Sequence, residues 1–487
     1  MSTVLLNLAI DRDETSAATT RTTTTKQEAF ILYPHRWSVL ASFTVLSASS
    51  SWMWITWSPI TLQVAELWKV SHGAVDALAG VYLYIYVPCS FLSLYWVVTY
   101  AGLRQGLLAG ALFNAAGAVL RYTGRNSYRS VYIGTLFAAV AQSFTLATPP
   151  LIAGHWFGAS ERGTATALGV LANQAGTALG LGVTCAVDFN RSNLQERLQV
   201  YLGVQAAVAA VAVLLVYIFV ADHPPTPPSV ATAFLLQSAS TVAPHDCVSN
   251  TTEETYLLPP PRQEKMDDSS SYTKQIAPPN YWQSIRLVVG EWSSISFLLS
   301  FGMSVGVYYT LPTFFSQLLP HGDGTHWSFT VTGWLGVSYQ LAGVLGSFVS
   351  GRLVDATQHY RAASLLLLGV AALSLLVFGV TASVAPLGSS RLAVAGFVLG
   401  VVGSGFSLAA WNTVGLEFGT SLSYPANEAA VAGILECAAE LAGFLWVTIG
   451  GFLIETAHAE FLFVLVAAAG ASFLLLGFNH TEAKRPR

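Results

Sequence analysis

Charge is scarce in this chain: 10% of its 487 residues are Asp, Glu, Lys or Arg, against roughly 25% in an average soluble domain. A water-soluble protein of this size could not cover its surface with so few charges, so soluble enzyme classes are excluded first. Cysteine is scarce too. Cys89, Cys185, Cys247 and Cys437 show neither zinc-ligand nor disulfide-framework spacing. With a formal net charge of -4 there is no basic stripe for nucleic acid, and no strand-turn-helix context suits a phosphate loop. No cleavable signal is visible: the early apolar patch, Val4 to Ile10, is short and runs into Asp11, Asp13 and Glu14. No nucleophile-base pair or metal constellation suggests catalysis, and no cofactor is expected.

Long apolar stretches fill the space the charges leave. They fall near 38–62, 74–98, 103–122, 130–153, 163–187 and 198–221, then near 289–318, 329–350, 362–384, 392–415, 428–454 and 460–478. Each has the length a bilayer core demands of a helix. The expectation is an all-α polytopic membrane protein with about twelve transmembrane helices in two six-helix bundles, its main partner the lipid bilayer. The organisation read from the pattern is a tail (1–36), a first bundle (37–222), a linker (223–285), a second bundle (286–479) and a basic tail (480–487). The linker, with its Pro259-Pro260-Pro261 run and many Ser, Thr and acids, has the composition of a disordered segment. An arrangement with both termini cytosolic puts 15 of the 22 Lys and Arg inside and 7, Arg121 among them, outside, in line with the positive-inside bias. The membrane is the plasma membrane or that of an organelle, and a sequon at Asn190 would then face outward.

The halves look duplicated. Glu161 and Gly176 stand at the same separation as Glu428 and Gly443, each pair preceded by Phe-Gly, Phe157-Gly158 and Phe418-Gly419. Matched halves meeting at a central cavity are how many secondary transporters hold a substrate.

All basic residues read as lying at span ends, in loops or in tails, and of the acids only Glu436 and Glu440 lie well inside an apolar segment. Intramembrane acids are candidates for function by default, the alternative being a protonated side chain bonded to a neighbouring helix. Four residues apart on one helix, the two are roughly 6 Å from each other, and two negative charges there repel by roughly 2.8 kcal/mol at an effective dielectric near 20. An empty site should therefore hold a proton between them, which makes proton coupling an option. Trp54 and Trp57 share a face at helical spacing and could wall a cavity or sit in an aromatic belt. Tyr308 and Tyr309, between Gly306 and Pro312, offer phenols beside a helix bend, with core packing as the alternative. Asn173 and Gln174 bring amides into a segment rich in Gly and Ala, where they could equally bridge helices.

The chain resembles the FLVCR-related solute carriers, named for the feline leukaemia virus subgroup C receptor, within the major facilitator superfamily. The resemblance is carried by Trp54-Ile55-Thr56-Trp57-Ser58-Pro59, Val75-Asp76 with Val81-Tyr82 and Pro88, Gly102-Leu103-Arg104, Ala139-Val140-Ala141-Gln142, Trp156-Phe157-Gly158 and Asn173-Gln174-Ala175-Gly176. In the second half it continues through Ser300-Phe301-Gly302, Tyr309, Ala342 to Gly346, Asp355, Glu417-Phe418 and Tyr424-Pro425 with Glu428. It implies the major facilitator fold and transport of a small organic solute: choline or ethanolamine, haem, or a vitamin. In the choline-handling branch a tryptophan, a glutamine, a tyrosine and a second glutamine converge on the substrate. The matching positions are Trp54, Gln174, Tyr309 and Glu440, the last an acid where the branch has an amide. Gly102, Arg104 and Asp355 match the loop motifs that act in conformational change, while Thr99 replaces an expected aspartate.

The expected function is secondary transport of an amine or quaternary ammonium, since ring faces attract cations. Alternatives are a haem or porphyrin exporter, a vitamin transporter of the same family, and a receptor that does not transport.

Overall fold

The computed structural model describes residues 32–226 apart from 159–160, 188 and 190–192, and residues 281–478 apart from 319–328, 358, 385–390, 424–425, 427 and 455–457. The expected tails, nearly all of the linker, Asn190 and the Tyr424-Pro425 pair lie outside the described residues.

The described chain is helical. The first half comprises α1 (His35–Ile55), α2 (Thr61–Trp68), α3 (His72–Trp96), α4 (Gly102–Thr123), α5 (Tyr128–Gln142), α6 (Pro149–Trp156), α7 (Arg162–Ala186) and α8 (Leu194–Phe219). The second comprises α9 (Tyr281–Gly290), α10 (Trp292–Leu318), α11 (Phe329–Thr357), α12 (Tyr360–Val384), α13 (Arg391–Leu422), α14 (Glu428–Leu453) and α15 (His458–Phe478). Counting α1 with α2 and α5 with α6 as single broken spans, and leaving out the short α9, gives six spans in each half. Among the described residues nine helices are long and apolar enough to cross a membrane. The three spans outside that set are the broken α5–α6, α7 and α11. The last two are rich in Gly, Ser, Thr and amides and pack against each other between the halves. A span that faces protein needs less hydrocarbon than one that faces lipid.

The duplication is carried in the packing. In the first half α1 packs on α7, α3 on α5, α4 on α5 and α4 on α8; in the second α10 packs on α14, α11 on α13, α12 on α13 and α12 on α15. The repeated glycines sit at equivalent helix crossings. Gly176 brings α7 against α1 so closely that a methyl there would strike Ser51 and the Ala48 backbone. Gly443 lies against Gly306 of α10, where an added Cβ would come within 2.7 Å of the Gly443 nitrogen. Small residues let backbones approach where apolar side chains give no net gain over lipid. The halves meet through α7 against α11 and α3 against α14.

One departure from sequence expectation has a local cause. The stretch expected as one span at 130–153 is broken: α5 ends at Gln142, turns follow, and α6 starts at Pro149. Consecutive prolines, Pro149 and Pro150, suit a helix start, while the residue before a proline is steered away from helix. Pro312 does not stop α10, which runs on to Leu318. Proline has no N–H to give the carbonyl four residues back, and the Tyr339 hydroxyl donates to that Tyr308 carbonyl instead at 3.1 Å.

Candidate functional site

A cavity lies between the halves, lined by Ser50, Ser51 and Trp54 of α1, Leu83 of α3, Gln142 at the end of α5, Leu146, Asn173 of α7, Tyr309 of α10 and Glu440 of α14. Its volume is about 20 Å³, room for little more than one water molecule. The rings of Trp54 and Tyr309 meet edge to face across it, with centroids 6.4 Å apart.

Four residues singled out by sequence line this cavity: Trp54, Asn173, Tyr309 and Glu440. Glu436 stands behind them, its Oε2 accepting the Tyr309 hydroxyl at 2.9 Å. Both acids are buried, Glu440 being 1% exposed. Its Oε1 accepts a hydrogen bond from the Gln142 side-chain amide at 2.9 Å, whereas its Oε2 has no protein partner. Gln142 is a wall residue that sequence reasoning missed as a site candidate. It sits where α5 breaks, and its hydrogen bond joins one half to the other. The break before Pro149 was the available signal.

Other sequence candidates stand elsewhere. Trp57, just past the end of α1, is buried and is not among the residues of the cavity wall. It packs edge-on against Trp68, at 5.1 Å between centroids. Tyr308 is turned about a quarter circle from Tyr309, as neighbours on a helix are. It donates to Gln340 Oε1 at 2.8 Å and stacks on Tyr339. Gln174 is buried beside Asn173 with an unpartnered Oε1 and is not a wall residue. Gly102 opens α4 at a φ of 75°, with the Asp222 carboxylate where a Cβ would go. Asp222 accepts from the Arg104 backbone N–H at 2.8 Å, placing an anion at the N-terminus of α4, where the helix dipole favours it. The side chains of Thr99 and Asp355 lie outside those the structure describes.

Arg121 stands at a span end, in the last turn of α4, yet it is wholly buried there. Its Nη1 donates to the Met53 carbonyl in the last turn of α1 at 2.8 Å. Its guanidinium lies 4.7 Å from the Trp57 ring centroid, and the Tyr82 hydroxyl faces it. Asp76 is buried as well. Gln317 of α10 donates to both its oxygens at 2.9 Å. Close by, the Ser58 hydroxyl donates to the carbonyls of Pro312 and Thr313. These bonds join the halves at the end of the molecule where α1 terminates.

The sequence profile of the Major Facilitator Superfamily matches residues 40–419. The chain is similar to the choline/ethanolamine transporter flvcr2a of Danio rerio, with 28% identity over 87% of this chain and 82% of that protein. It is similar also to the choline/ethanolamine transporter FLVCR2 of Homo sapiens, with 25% identity over 92% and 79% of the two chains. Among solved structures it resembles a D-xylose–proton symporter at a TM-score of 0.63 and 12% identity, covering 92% of this chain and 97% of that one. The bacterial homologue of the lysosomal transporter Spinster, inward-facing and unoccupied, gives the same TM-score with 91% and 97% covered. At that identity the likeness is one of fold.

Proposed function

The chain belongs to the Major Facilitator Superfamily, and from that premise we propose that it carries a small organic amine across a membrane by alternating access. The observation that carries this reading is the cavity itself. An interhelical space between duplicated halves is walled by two aromatic rings and holds a buried carboxyl, Glu440, with a second, Glu436, one hydrogen bond away. A cation is the ligand such a wall suits: ring faces attract it and the carboxyls balance it. The names of the similar proteins, choline/ethanolamine transporters, agree with that chemistry. A porphyrin is disfavoured by the size of the space and by the lack of a basic residue or histidine among the wall residues.

In this reading the structure is shut at one end. With the N-terminus cytosolic, the Ser58 and Asp76–Gln317 contacts form the outer seal, and the halves rock about the cavity so that the seal parts when the inner side closes. The Gln142–Glu440 bond crosses the same interface and remakes itself in each cycle. Protons are a candidate coupling ion through the Glu436–Glu440 pair. The choice between plasma and organelle membrane is left to localisation in cells.

Purified chain in proteoliposomes should take up labelled ethanolamine or choline, competed by unlabelled amines and not by haem. Ligand binding without flux would sink the transport reading in favour of a receptor. For topology, Ser269→Cys should resist an impermeant thiol reagent in intact cells and react after permeabilisation. Reaction in intact cells would reverse the orientation.

A further inference from the structure

Within the amine reading, on which this inference rests, we infer that the site selects a protonated primary ammonium over a quaternary one. The unpartnered atoms of the wall residues decide it. Glu440 Oε2 and Gln142 Oε1 are both buried, both belong to wall residues and both lack a protein partner. Each is an acceptor. The Gln142 amide donates to the other Glu440 oxygen, which holds the carboxyl and fixes which oxygen is left over. A –NH3+ head has three donors and no acceptor, so it can satisfy both oxygens at once. A trimethylammonium head has no donor, so it would bury both without hydrogen bonds and leave their desolvation uncompensated.

Space points the same way. The cavity is narrow, so its walls must give way to any amine, and each methyl added to the nitrogen demands more of that displacement. The Trp54 and Tyr309 rings are in edge-to-face contact and do not stand apart as the walls of an aromatic cage. A hydroxyl two carbons from the nitrogen would also find a donor in the Trp54 indole N–H, which is buried without a partner. The acid is the distinguishing feature. Where the resembling branch has a glutamine, whose amide brings donors as well as an acceptor, Glu440 offers acceptors and charge.

The experiment is a methylation series on the purified full chain: ethanolamine, N-methylethanolamine, N,N-dimethylethanolamine and choline, ranked by thermal shift and by competition for uptake of labelled ethanolamine. Affinity should hold to N-methylethanolamine, which keeps two N–H donors, and then fall. The total loss to choline should be about tenfold or more, the effect of losing one charge-assisted hydrogen bond. Glu440→Gln should shrink that ratio several-fold or reverse it. If this variant does not fold, Glu440→Asp keeps the charge but draws the carboxyl back by one methylene, and should reduce the ratio by a few-fold. Choline binding as tightly as ethanolamine in the wild type, or an unchanged ranking in the variants, would overturn the inference. Failure of all four amines to bind would sink the amine reading itself, and this selectivity with it.

Discussion

Arg121 in the first half and the pair Glu436–Glu440 in the second are buried ionisable side chains in a chain that has few, Asp76 being another, yet they are held in opposite ways. The guanidinium is spent on structure. It donates to the Met53 carbonyl, covers the Trp57 ring and faces Tyr82, tying α4 to the end of α1 away from the cavity wall. Glu440, by contrast, lines the cavity, uses one oxygen on Gln142 and leaves the other without a partner. Burial of a charge therefore does not mark a binding group here, and neither does a missing partner alone, since Arg121 Nε and Nη2 also lack one. What sets Glu440 apart is its place in the cavity wall. Two halves built from one plan have diverged in what they bury: a guanidinium and the Asp76 carboxylate off the cavity wall in the first, two carboxyls at the cavity in the second.

The strongest way to break this contrast is to remove each charge and separate stability from affinity. Arg121→Ala deletes a large buried side chain, strips the Met53 carbonyl of a charged donor and leaves a void. It should cost about 3 kcal/mol of apparent stability, read as a lowered Tm in detergent. Relative affinities of amines for the folded fraction should not change. Glu440→Gln should do the reverse, keeping or raising the Tm because a buried carboxyl becomes a neutral amide of the same shape, while weakening amine binding about tenfold. If Arg121→Ala folded normally and lost affinity, the pin would belong to the site and the contrast would fail.

A sharper test addresses the wall that the halves share. Trp54 contacts Tyr309 across the cavity, so Trp54→Ala removes ring area and cation attraction together, for about a tenfold loss of apparent affinity. Trp54→Phe keeps a smaller ring face and should lose only about threefold. Equal losses in folded protein would make Trp54 a packing residue. Tyr309→Phe keeps the ring and removes the hydroxyl that Glu436 accepts. Its effect on affinity should be smaller than that of Trp54→Ala and should appear mainly as altered pH dependence of uptake.

What was legible in the sequence follows from how strict each physical demand is. A bilayer allows almost nothing but helices of sufficient length, so the two sets of six apolar stretches were visible as composition alone. Trp54, Asn173, Tyr309, Glu436 and Glu440 stood out because polar or aromatic groups deep in apolar runs are rare. Two positions were less legible: Trp57, left open between cavity wall and aromatic belt, packs instead on Trp68, and Arg121 stands at a span end as read but is wholly buried there. A guanidinium in the last turn of an apolar run has the same sequence signature whether it reaches water or folds back onto a neighbouring carbonyl. Gln142 was hidden for a different reason. The break before Pro149 could have marked the end of α5, but the role of Gln142 depends on the approach of α14 from the other half, which that local signal does not encode.

The smallest expected effect concerns protons, and it tests whether the carboxyl pair is a receptor for charge or only hydrogen-bonded structure. Glu436 and Glu440 sit one turn apart on α14, where two full negative charges would repel by roughly 2.8 kcal/mol at an effective dielectric near 20. Tyr309 donates to the first and Gln142 to the second, and Cys437 beside them brings no charge to relieve the repulsion. One hydrogen bond to each carboxyl does not replace the lost hydration of both, so the empty pair keeps a proton. An arriving ammonium offers the same compensation as that proton and displaces it. Protons and substrate thus compete, and apparent affinity should weaken by a few-fold for each unit of acidification around neutrality. Glu440→Gln and Glu436→Gln each remove one member of the pair, so each should flatten the profile, Glu440→Gln more because its carboxyl reaches the cavity. Uptake measured from pH 6 to 8 at fixed amine concentration, with the membrane potential clamped, reads this directly. A profile that keeps its slope in both variants while flux persists would assign the two acids to structure. It would also leave the Trp54 and Tyr309 rings as the only cation-binding elements of the wall.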